Sequence, residues 1–280
     1  MKNGVTLLDG AIGTSLWEKS EDKVPVWQYN LTNPKIVREL CLEYLDAGAE
    51  LVQANTFSAN AMSMKKTNFK VNEVVSAAME IAHEAADGRA KIVLSVGPLP
   101  VLLEPYGDLT EEDAFEIFDE QISAGAAGKP DVILMETFID IEMMKVAVRA
   151  AKKHGLPIFC SMSYGGGGRT IMGNSVRDVV DALKDEPVAA VGLNCSLGPD
   201  EALPLMAQYK ACTDLPLIFK PNAGKSGMSG GQIKMQFDVE HFVTHSVKAM
   251  ESGVSYIGGC CGTNPTYIRA LRDKLTELGY

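Results

Sequence analysis

The sequence predicts a single (β/α)8 barrel, on the strength of two observations. Short apolar runs alternate with helix-compatible segments along the whole chain, and the alternation occurs eight times within 280 residues. Alternating strands and helices are typical of a parallel sheet with both faces covered. Eight such units in about 250 residues meet the requirement of a (β/α)8 TIM barrel. A doubly wound open sheet is the alternative, although such sheets more often end at about five to seven strands.

The predicted strands are short runs of β-branched and other apolar residues. They cover residues 5–8, 50–54, 91–96, 131–136, 157–162, 188–194, 216–220 and 254–258. The first run, VTLL, ends at Asp9 and Gly10, and the last, VSYIG, leads into two adjacent cysteines. Apolar runs of this kind suit strands that are buried on both faces.

A helix is predicted after each strand. The helices cover residues 34–47, 72–86, a segment that begins near 110, 140–153, 175–183, 200–210, 238–251 and 265–278. Asn33 and Pro34 supply a cap and a first-turn proline for the first of them. Thr110 is predicted to cap the third, because acidic residues fill the turn that follows it. No linker or break in composition interrupts the chain, so one domain over residues 1–280 is expected.

The composition argues against several classes of protein. The formal net charge is −10, whereas nucleic-acid-binding proteins normally carry a basic surface. No run of about 18 apolar residues is present, so no membrane-spanning helix is expected. The first apolar run is short and is interrupted by Asp9, unlike a secretory signal. A cytoplasmic protein is therefore expected, in which the six cysteines are free, metal-bound or catalytic.

In a barrel of this kind the active site lies at the carboxyl ends of the strands. The residues at those ends are Asp9, Asn55, Thr56, Gly97, Pro98, Glu136, Thr137, Ser163, Tyr164, Asn194, Cys195, Pro221, Asn222, Cys260 and Cys261. Three of the six cysteines are among them. The other three, Cys41, Cys160 and Cys212, fall in or near a predicted helix or within a strand, and are interpreted as small packing residues.

Cys195, Cys260 and Cys261 are candidate ligands of one metal ion. They follow the sixth and eighth strands, which are separated by a single strand, so their thiols are able to converge at the mouth of the barrel. Thiolates and a tetrahedral shell suit Zn²⁺. The absence of any CxxC pair excludes a zinc ribbon or finger. Three protein ligands leave the fourth position open, which is typical of a catalytic rather than a structural site.

The charge of such a site indicates its chemistry. Zn²⁺ with three thiolates has a formal charge of −1, which makes it a poor Lewis acid for hydrolysis. It suits the binding of a substrate thiol, because coordination removes the thiol proton and leaves the sulfur nucleophilic. A free thiol with a pKa of about 8.5 is mostly protonated at pH 7. Alkyl transfer to a thiol is the reaction class that these residues predict.

Other interpretations of the adjacent cysteines remain open. Cys260 and Cys261 are also consistent with a strained disulfide or redox pair, or with the packing of small residues in a glycine-rich turn. Neither interpretation explains why Cys195 lies at the end of a second strand. A zinc-storing or redox-responsive binding protein without turnover is the alternative function from a different class.

The motifs around these positions resemble the homocysteine S-methyltransferase family. The matching segments, in family order, are DGAIGT (9–14), LTNP (31–34), AGAELVQANTFSAN (47–60), METF (135–138), GLNCSLGP (192–199), PNAG (221–224) and GGCCGTNPTYIRAL (258–271). Together they span almost the whole chain. Within the family, the sequences NCSLGP and PNAG are most similar to those of the homocysteine-binding module of cobalamin-dependent methionine synthase.

The resemblance implies a set of site residues. It implies one Zn²⁺ per chain on Cys195, Cys260 and Cys261, with the thiolate of homocysteine as the fourth ligand and methionine as the product. It also implies ammonium and carboxylate contacts for the substrate. Asp9 and Glu136 are implied to contact the ammonium, and the backbone of Gly10 to Thr14 is implied to contact the carboxylate. Asn194 and Asn222 are implied to orient the groups around the metal.

The resemblance leaves the methyl donor open. Cobalamin-dependent methionine synthase continues into folate, corrinoid and reactivation modules, whereas the present sequence ends with the last predicted helix. The donor is therefore expected to be supplied separately, and the similarity to the synthase module favours a methylcorrinoid (cobalamin) protein acting in trans. S-methylmethionine or betaine as a small-molecule donor, and a thiol acceptor other than homocysteine, are the alternatives.

Overall fold

Eight parallel strands form a closed ring at the centre of the molecule. The structure, a computed structural model, describes residues 4–224, 226–229, 232–235 and 238–280. The barrel strands are β1 (Thr6–Leu7), β2 (Leu51–Gln53), β3 (Lys91–Val96), β4 (Val132–Phe138), β5 (Ile158–Met162), β6 (Val188–Asn194), β7 (Leu217–Lys220) and β10 (Tyr256–Ile257). Their order in the sheet is β1-β10-β7-β6-β5-β4-β3-β2. A parallel bridge between Leu8 and Leu51 joins the two ends, which confirms the predicted (β/α)8 barrel.

The helices surround the strands. They are α1 (Gly13–Lys19), α2 (Tyr29–Thr32), α3 (Pro34–Asp46), α4 (Ala61–Met64), α5 (Val71–Ala86), α6 (Glu111–Ala127), α7 (Ile141–Ala151), α8 (Val176–Leu183), α9 (Pro199–Cys212), α10 (Val239–Glu251) and α11 (Pro265–Glu277). The eight predicted helices are all present, with bounds within two residues of the prediction. Thr110 caps α6 as expected, since its side chain accepts a hydrogen bond from the Asp113 N–H at 3.1 Å.

Five short elements lie outside the predicted pattern. The helices α1, α2 and α4 belong to the connections that follow β1 and β2. Strands β8 (Ser226–Ser229) and β9 (Gln232–Met235) form an antiparallel hairpin between β7 and α10. Helices of four to seven residues and strands of four show too little of their period for a sequence pattern to reveal them.

The inside of the barrel is a packed core. Its members are Leu8, Leu51, Val93, Val132, Leu134, Phe159, Ala190 and Ile218. Neighbouring residues on the same strands, such as Ile133 and Met135 on β4, belong instead to the larger core between the barrel and the helices. Because side chains alternate between the two faces of a strand, each strand supplies both cores. The interior is therefore filled, and open space for a ligand lies at its ends.

Among the described residues, no helix combines the length and the apolar character needed to cross a membrane.

Truncation of the interior core is expected to destabilise the whole barrel. Ile218 is 0% exposed, so Ile218→Ala removes buried contacts and leaves a cavity, which lowers the free energy of unfolding by about 2–5 kcal/mol. Ile171→Ala is the matched control, because Ile171 is 79% exposed and its change stays within about 0.5 kcal/mol. Urea denaturation followed by circular dichroism measures both, and equal midpoints for the two variants would contradict the packed interior.

Candidate metal centre and its pocket

Three cysteine thiols converge at the carboxyl end of the barrel. The sulfur atoms of Cys195, Cys260 and Cys261 all lie within 4.8 Å of one another, and those of Cys195 and Cys261 are 3.8 Å apart. A tetrahedral Zn²⁺ with zinc–sulfur bonds of about 2.3 Å holds its sulfur ligands about 3.8 Å apart. The thiols therefore fit the ligand set of one such ion without a large rearrangement of the chain.

Cys195 reaches this position through a sharp turn at the end of β6. Cys195 and Ser196 have φ angles of 62° and 60°, in the left-handed region that non-glycine residues seldom occupy. The Cys195 N–H donates to the Lys220 carbonyl oxygen at 3.2 Å, which ties the turn to the end of β7. Strained backbone of this kind is enriched at functional sites.

The two adjacent cysteines follow β10 in a turn that depends on glycine. A Cβ atom on Gly259 would overlap the side chain of Thr263, and one on Gly258 would lie 2.7 Å from the Asp9 carbonyl oxygen. The Thr263 hydroxyl donates to the Cys260 carbonyl oxygen at 2.6 Å and closes the turn. Glycine is therefore required where the backbone approaches its neighbours this closely, and the turn brings both thiols to the third.

Asn194 connects the thiols to the neighbouring strands. Its Oδ1 accepts hydrogen bonds from the Thr137 N–H at 2.7 Å and from the Ser161 hydroxyl at 2.8 Å. Its Nδ2 donates to Thr137 Oγ1 at 2.7 Å and to the Cys260 sulfur at 3.6 Å. Thr137 has a φ angle of 65°, which is unfavourable for a β-branched residue. The Asn194 side chain thus holds Thr137 in place and orients Cys260.

The thiols affect one another's ionisation. Hydrogen bonds with Cys260 and Cys261 lower the pKa of Cys195 to about 3. The hydrogen bond with Cys195 is the largest cause that raises the pKa of Cys260 to about 11, and the pKa of Cys261 also rises. The cluster without a metal therefore holds one thiolate between two thiols. A divalent cation would allow all three to ionise, because it offsets the repulsion between them.

A layer of polar side chains lies directly above the apolar interior. Each member follows an inward-facing apolar residue of the same strand by two positions. The members are Gln53, Ser95, Glu136, Ser161 and Lys220. Because the strand period is two residues, they also point into the barrel. Only Glu136 was expected from the sequence. Continuing the alternation of each strand past its apolar residues is the signal that identifies the other four.

Lys220 is the centre of the charged part of this layer. Its side chain is 1% exposed and its Nζ lies 3.2 Å from Glu136 Oε2 and 4.0 Å from Asp9 Oδ1. Lys220 also donates to Gln53 Oε1. Burial by itself would lower the pKa of Lys220, but the charges of Glu136 and Asp9 outweigh burial and raise the pKa above its usual value. Lys220 is therefore a buried cation.

Glu136 is held from several sides. Its Oε1 accepts hydrogen bonds from the Ser95 hydroxyl at 2.5 Å and from Gln53 Nε2, and its Oε2 accepts one from Lys220. Lys220, Gln53 and Glu136 form a closed ring, since Gln53 contacts both of the other two. The carboxylate is therefore fixed in one orientation at the edge of the cavity.

Asp9 lies deeper than Glu136. It is 0% exposed, and its Oδ2 accepts a hydrogen bond from the Gln53 N–H at 2.7 Å. Its Oδ1 has no hydrogen-bond partner among the described residues. Burial raises the pKa of Asp9 to about 7, although the charge of Lys220 opposes the rise. Asp9 is thus a buried carboxyl group whose nearest cation is Lys220.

The three thiols and four members of the polar layer, all except Ser161, open into one cavity of about 410 Å³. Its inner end is lined by Gln53, Ser95, Glu136, Thr137, Cys195, Lys220, Cys260 and Cys261, and its outer end by Ile12, Trp17, Pro25, Val26 and Phe57. Trp17 and Phe57 are 43% and 38% exposed. A cavity with an apolar entrance and a few converging polar groups is typical of a small-molecule site.

The remaining predicted site residues differ in whether they line the cavity. Gly10 lines the cavity, as do the residues that follow it up to Thr14. Asp9, Asn194 and Asn222 are buried and are not part of the lining. The Asn222 N–H donates to the Leu197 carbonyl oxygen at 2.9 Å, and its Oδ1 has no hydrogen-bond partner among the described residues.

The other three cysteines lie outside the cluster. Cys41 on α3 and Cys160 on β5 are buried among apolar residues of the main core. Burial raises the pKa of both thiols, for Cys41 to about 12. Cys212 is the last residue of α9 and packs partly buried against the same core. All six cysteines are free.

The chain matches one protein family along nearly its whole length. The family described as homocysteine S-methyltransferase matches residues 6–275. Methionine synthase of Mycobacterium leprae (strain TN) is 28% identical over 288 aligned residues, which cover 93% of this chain. The same alignment covers 23% of that protein, so this chain spans less than a quarter of its length.

Solved structures share the fold. The homocysteine methyltransferase MmuM from Escherichia coli superposes with a TM-score of 0.78 in its apo form, at 21% identity, over 98% of this chain and 97% of that one. Its metallated form gives a TM-score of 0.80 at 20% identity over the same shares of the two chains. The carboxyl transferase domain of Rhizobium etli pyruvate carboxylase gives 0.55 at 11% identity, over 99% of this chain and 48% of that one.

The unequal pKa values of the clustered thiols predict selective alkylation of metal-free protein. Because the pKa of Cys195 is about 3, its thiolate is present throughout the range from pH 6 to 8. Iodoacetamide is therefore expected to modify Cys195 first, at a rate that changes little over that range. The rate for N-acetylcysteine, the control, rises about tenfold per pH unit, because the pKa of its thiol lies above this range. Peptide mass spectrometry measures both, and a rate for Cys195 that parallels the control would contradict the prediction.

Proposed function

The chain belongs to the homocysteine S-methyltransferase family, and we propose that it methylates the thiolate of homocysteine on one Zn²⁺ to form methionine. The observation that carries the proposal is the group of three thiols, all within 4.8 Å of one another, which opens into a cavity of about 410 Å³. Cys195, Cys260 and Cys261 are the proposed ligands. They leave one position of a tetrahedral ion for the acceptor.

The reactivity follows from charge. When bound, Zn²⁺ would take the acceptor's sulfur as its fourth ligand and remove the thiol proton at neutral pH. The three cysteine thiolates carry a formal charge of −3 against +2 for the ion, so the acceptor's sulfur keeps its electron density and remains a nucleophile. Asn194 contributes by holding Cys260, since it donates to that sulfur at 3.6 Å.

The polar end of the cavity suits an amino acid. Glu136 lines the cavity beside the thiols, and we propose that its carboxylate binds the ammonium group of homocysteine. Backbone N–H groups between Gly10 and Thr14 are the proposed partners of the carboxylate, and that of Ala11 already donates to the Thr263 carbonyl oxygen at 2.9 Å. Asp9 adds a negative charge near this end of the cavity, 4.0 Å from Lys220 Nζ. Asn222 is proposed to orient the residues around the metal.

Exposed apolar side chains on the connections at the carboxyl end of the barrel favour a macromolecular methyl donor. Five large apolar side chains are exposed on the connections that follow β1, β2, β3 and β5. They are Trp17, Leu31, Phe57, Tyr106 and Ile171, which are 43%, 40%, 38%, 74% and 79% exposed. Trp17 and Phe57 line the cavity, and exposed apolar side chains that form a patch beside a site are typical of a protein-binding surface. Together with the similarity to part of methionine synthase, they support a methylcorrinoid protein acting in trans as the donor.

Metal analysis tests the centre itself. Protein purified without added metal is expected to contain about one zinc per chain, and Cys260→Ser is expected to lose most of it, because the variant removes one of three ligands. Cys212→Ser is the matched control, since Cys212 lies at the end of α9 outside the cluster, and it should retain its zinc. Inductively coupled plasma mass spectrometry gives the stoichiometry. Zinc-free wild-type protein, or full zinc content in Cys260→Ser, would contradict the site.

An assay with separate donors tests the reaction. Homocysteine is offered with a methylcobalamin-loaded corrinoid protein, with methylcobalamin alone, with S-methylmethionine or with betaine, and methionine is measured by mass spectrometry. Methionine is expected with the corrinoid donors, and its formation should fall at least about 100-fold in Cys261→Ser. Methionine from S-methylmethionine or betaine alone would replace the donor proposed here, whereas no methionine from any donor would contradict the proposed reaction.

A further inference from the structure

The buried charges beside the thiols are unequally paired. Lys220 Nζ lies 3.2 Å from Glu136 Oε2 but 4.0 Å from Asp9 Oδ1. Asp9 Oδ1 is fully buried and has no hydrogen-bond partner among the described residues. A buried carboxylate oxygen without a partner is costly. A shift of Lys220 by about 1 Å toward Asp9 would bring the two groups within hydrogen-bonding distance.

The two carboxylates also differ in their access to a ligand. Glu136 and Lys220 both line the cavity, whereas Asp9 does not. A ligand's ammonium group in the cavity is therefore able to contact Glu136 directly, whereas Asp9 does not face the cavity. At Glu136 Oε2 it meets the ammonium of Lys220, which already donates there. Two cations at one carboxylate oxygen repel each other strongly in a buried site.

We propose that Lys220 is a positioning residue that moves from Glu136 to Asp9 when the acceptor binds, and thereby frees Glu136 for the acceptor's ammonium group. The proposal rests on the function proposed above and assigns the two carboxylates different partners. Glu136 recognises the substrate, whereas Asp9 is the second position of Lys220. Gln53 contacts both Lys220 and its second partner, because the Gln53 side chain accepts a hydrogen bond from Lys220 and the Gln53 N–H donates one to Asp9.

The charge count agrees with this assignment. Above the pKa of Asp9, which is about 7, Asp9 and Glu136 carry two negative charges and Lys220 one positive charge, so the group without an acceptor has a net charge of −1. The ammonium of an amino acid brings the net charge to zero, with one cation for each carboxylate. With the acceptor bound but Lys220 removed, the two carboxylates would face only the acceptor's ammonium. With Asp9 removed instead, Glu136 would face both that ammonium and Lys220.

Two ligands that differ only in the amino group measure the contribution of the ammonium to binding. Homocysteine and 4-mercaptobutanoate share the thiol, the chain length and the carboxylate, and differ only in the amino group. Their dissociation constants for the zinc-loaded full chain are measured by isothermal titration calorimetry, which does not depend on turnover. The wild-type protein is expected to bind homocysteine at least about tenfold more tightly, because only homocysteine places a cation on Glu136.

Asp9→Asn and the double variant Asp9→Asn/Lys220→Met provide the decisive comparison. The amide at position 9 keeps an oxygen for the Gln53 N–H but presents no negative charge to Lys220. Lys220 then stays on Glu136 and competes with the substrate, so the Kd for homocysteine is expected to rise about tenfold or more. In the double variant the competing cation is absent, and the Kd should return to within about threefold of the wild-type value. Binding of 4-mercaptobutanoate, the internal control for an intact thiol site, should be no weaker in either variant.

Direct binding of the ammonium by Asp9 predicts a different result. In that case the double variant binds homocysteine as weakly as Asp9→Asn, which would overturn the proposal, as would an Asp9→Asn variant with unchanged affinity. Wild-type protein that forms methionine but binds the two thiols equally well would overturn the proposal and leave the proposed function standing. Wild-type protein that neither binds homocysteine nor forms methionine would contradict the proposed function.

Discussion

The inward register of the barrel strands determines where Glu136 and Lys220, the charged groups that line the cavity, lie. Residues that alternate along each strand point into the barrel, first as the apolar core that includes Leu134 and Ile218 and then, two residues later, as Glu136 and Lys220. A shift of one residue in any of these strands would move its polar side chain to the helix side. The packed core below closes the barrel, so the polar layer and the thiols at the strand ends share one opening.

Burial explains why the polar layer has so many internal contacts. Lys220, Asp9 and Glu136 are all nearly inaccessible to solvent, and an isolated charge in such a place is costly. The ring of Lys220, Gln53 and Glu136 offsets that cost before any ligand arrives. Similarly, Asn194 donates to the Cys260 sulfur, and Gly258 and Gly259 allow the close-packed turn that brings Cys260 and Cys261 to Cys195. The site is therefore preorganised by its surroundings, as catalytic sites require.

The sequence predicts most of the barrel and only part of the site. Strand and helix bounds follow from apolar runs and caps such as Thr110. The three cysteines are identified because all of them follow predicted strands and two of them are adjacent in sequence. Lys220 was missed because a lysine at the end of an apolar run is usually exposed. Its carboxylate partners, Asp9 and Glu136, are 211 and 84 positions earlier in the sequence (220 − 9 and 220 − 136). Only the closed barrel brings the three side chains together. The hairpin of β8 and β9 was missed because four-residue strands show too few alternations.

X-ray absorption at the zinc edge tests most directly whether Cys195, Cys260 and Cys261 hold one Zn²⁺ and leave a position for the acceptor. The expected spectrum of the protein alone has three sulfur ligands at about 2.3 Å and one lighter ligand. On addition of homocysteine the lighter ligand should be replaced, which gives four sulfur ligands at the same distance. Four sulfur ligands before homocysteine is added, or an unchanged spectrum afterwards, would contradict the open position on which the proposed methyl transfer depends.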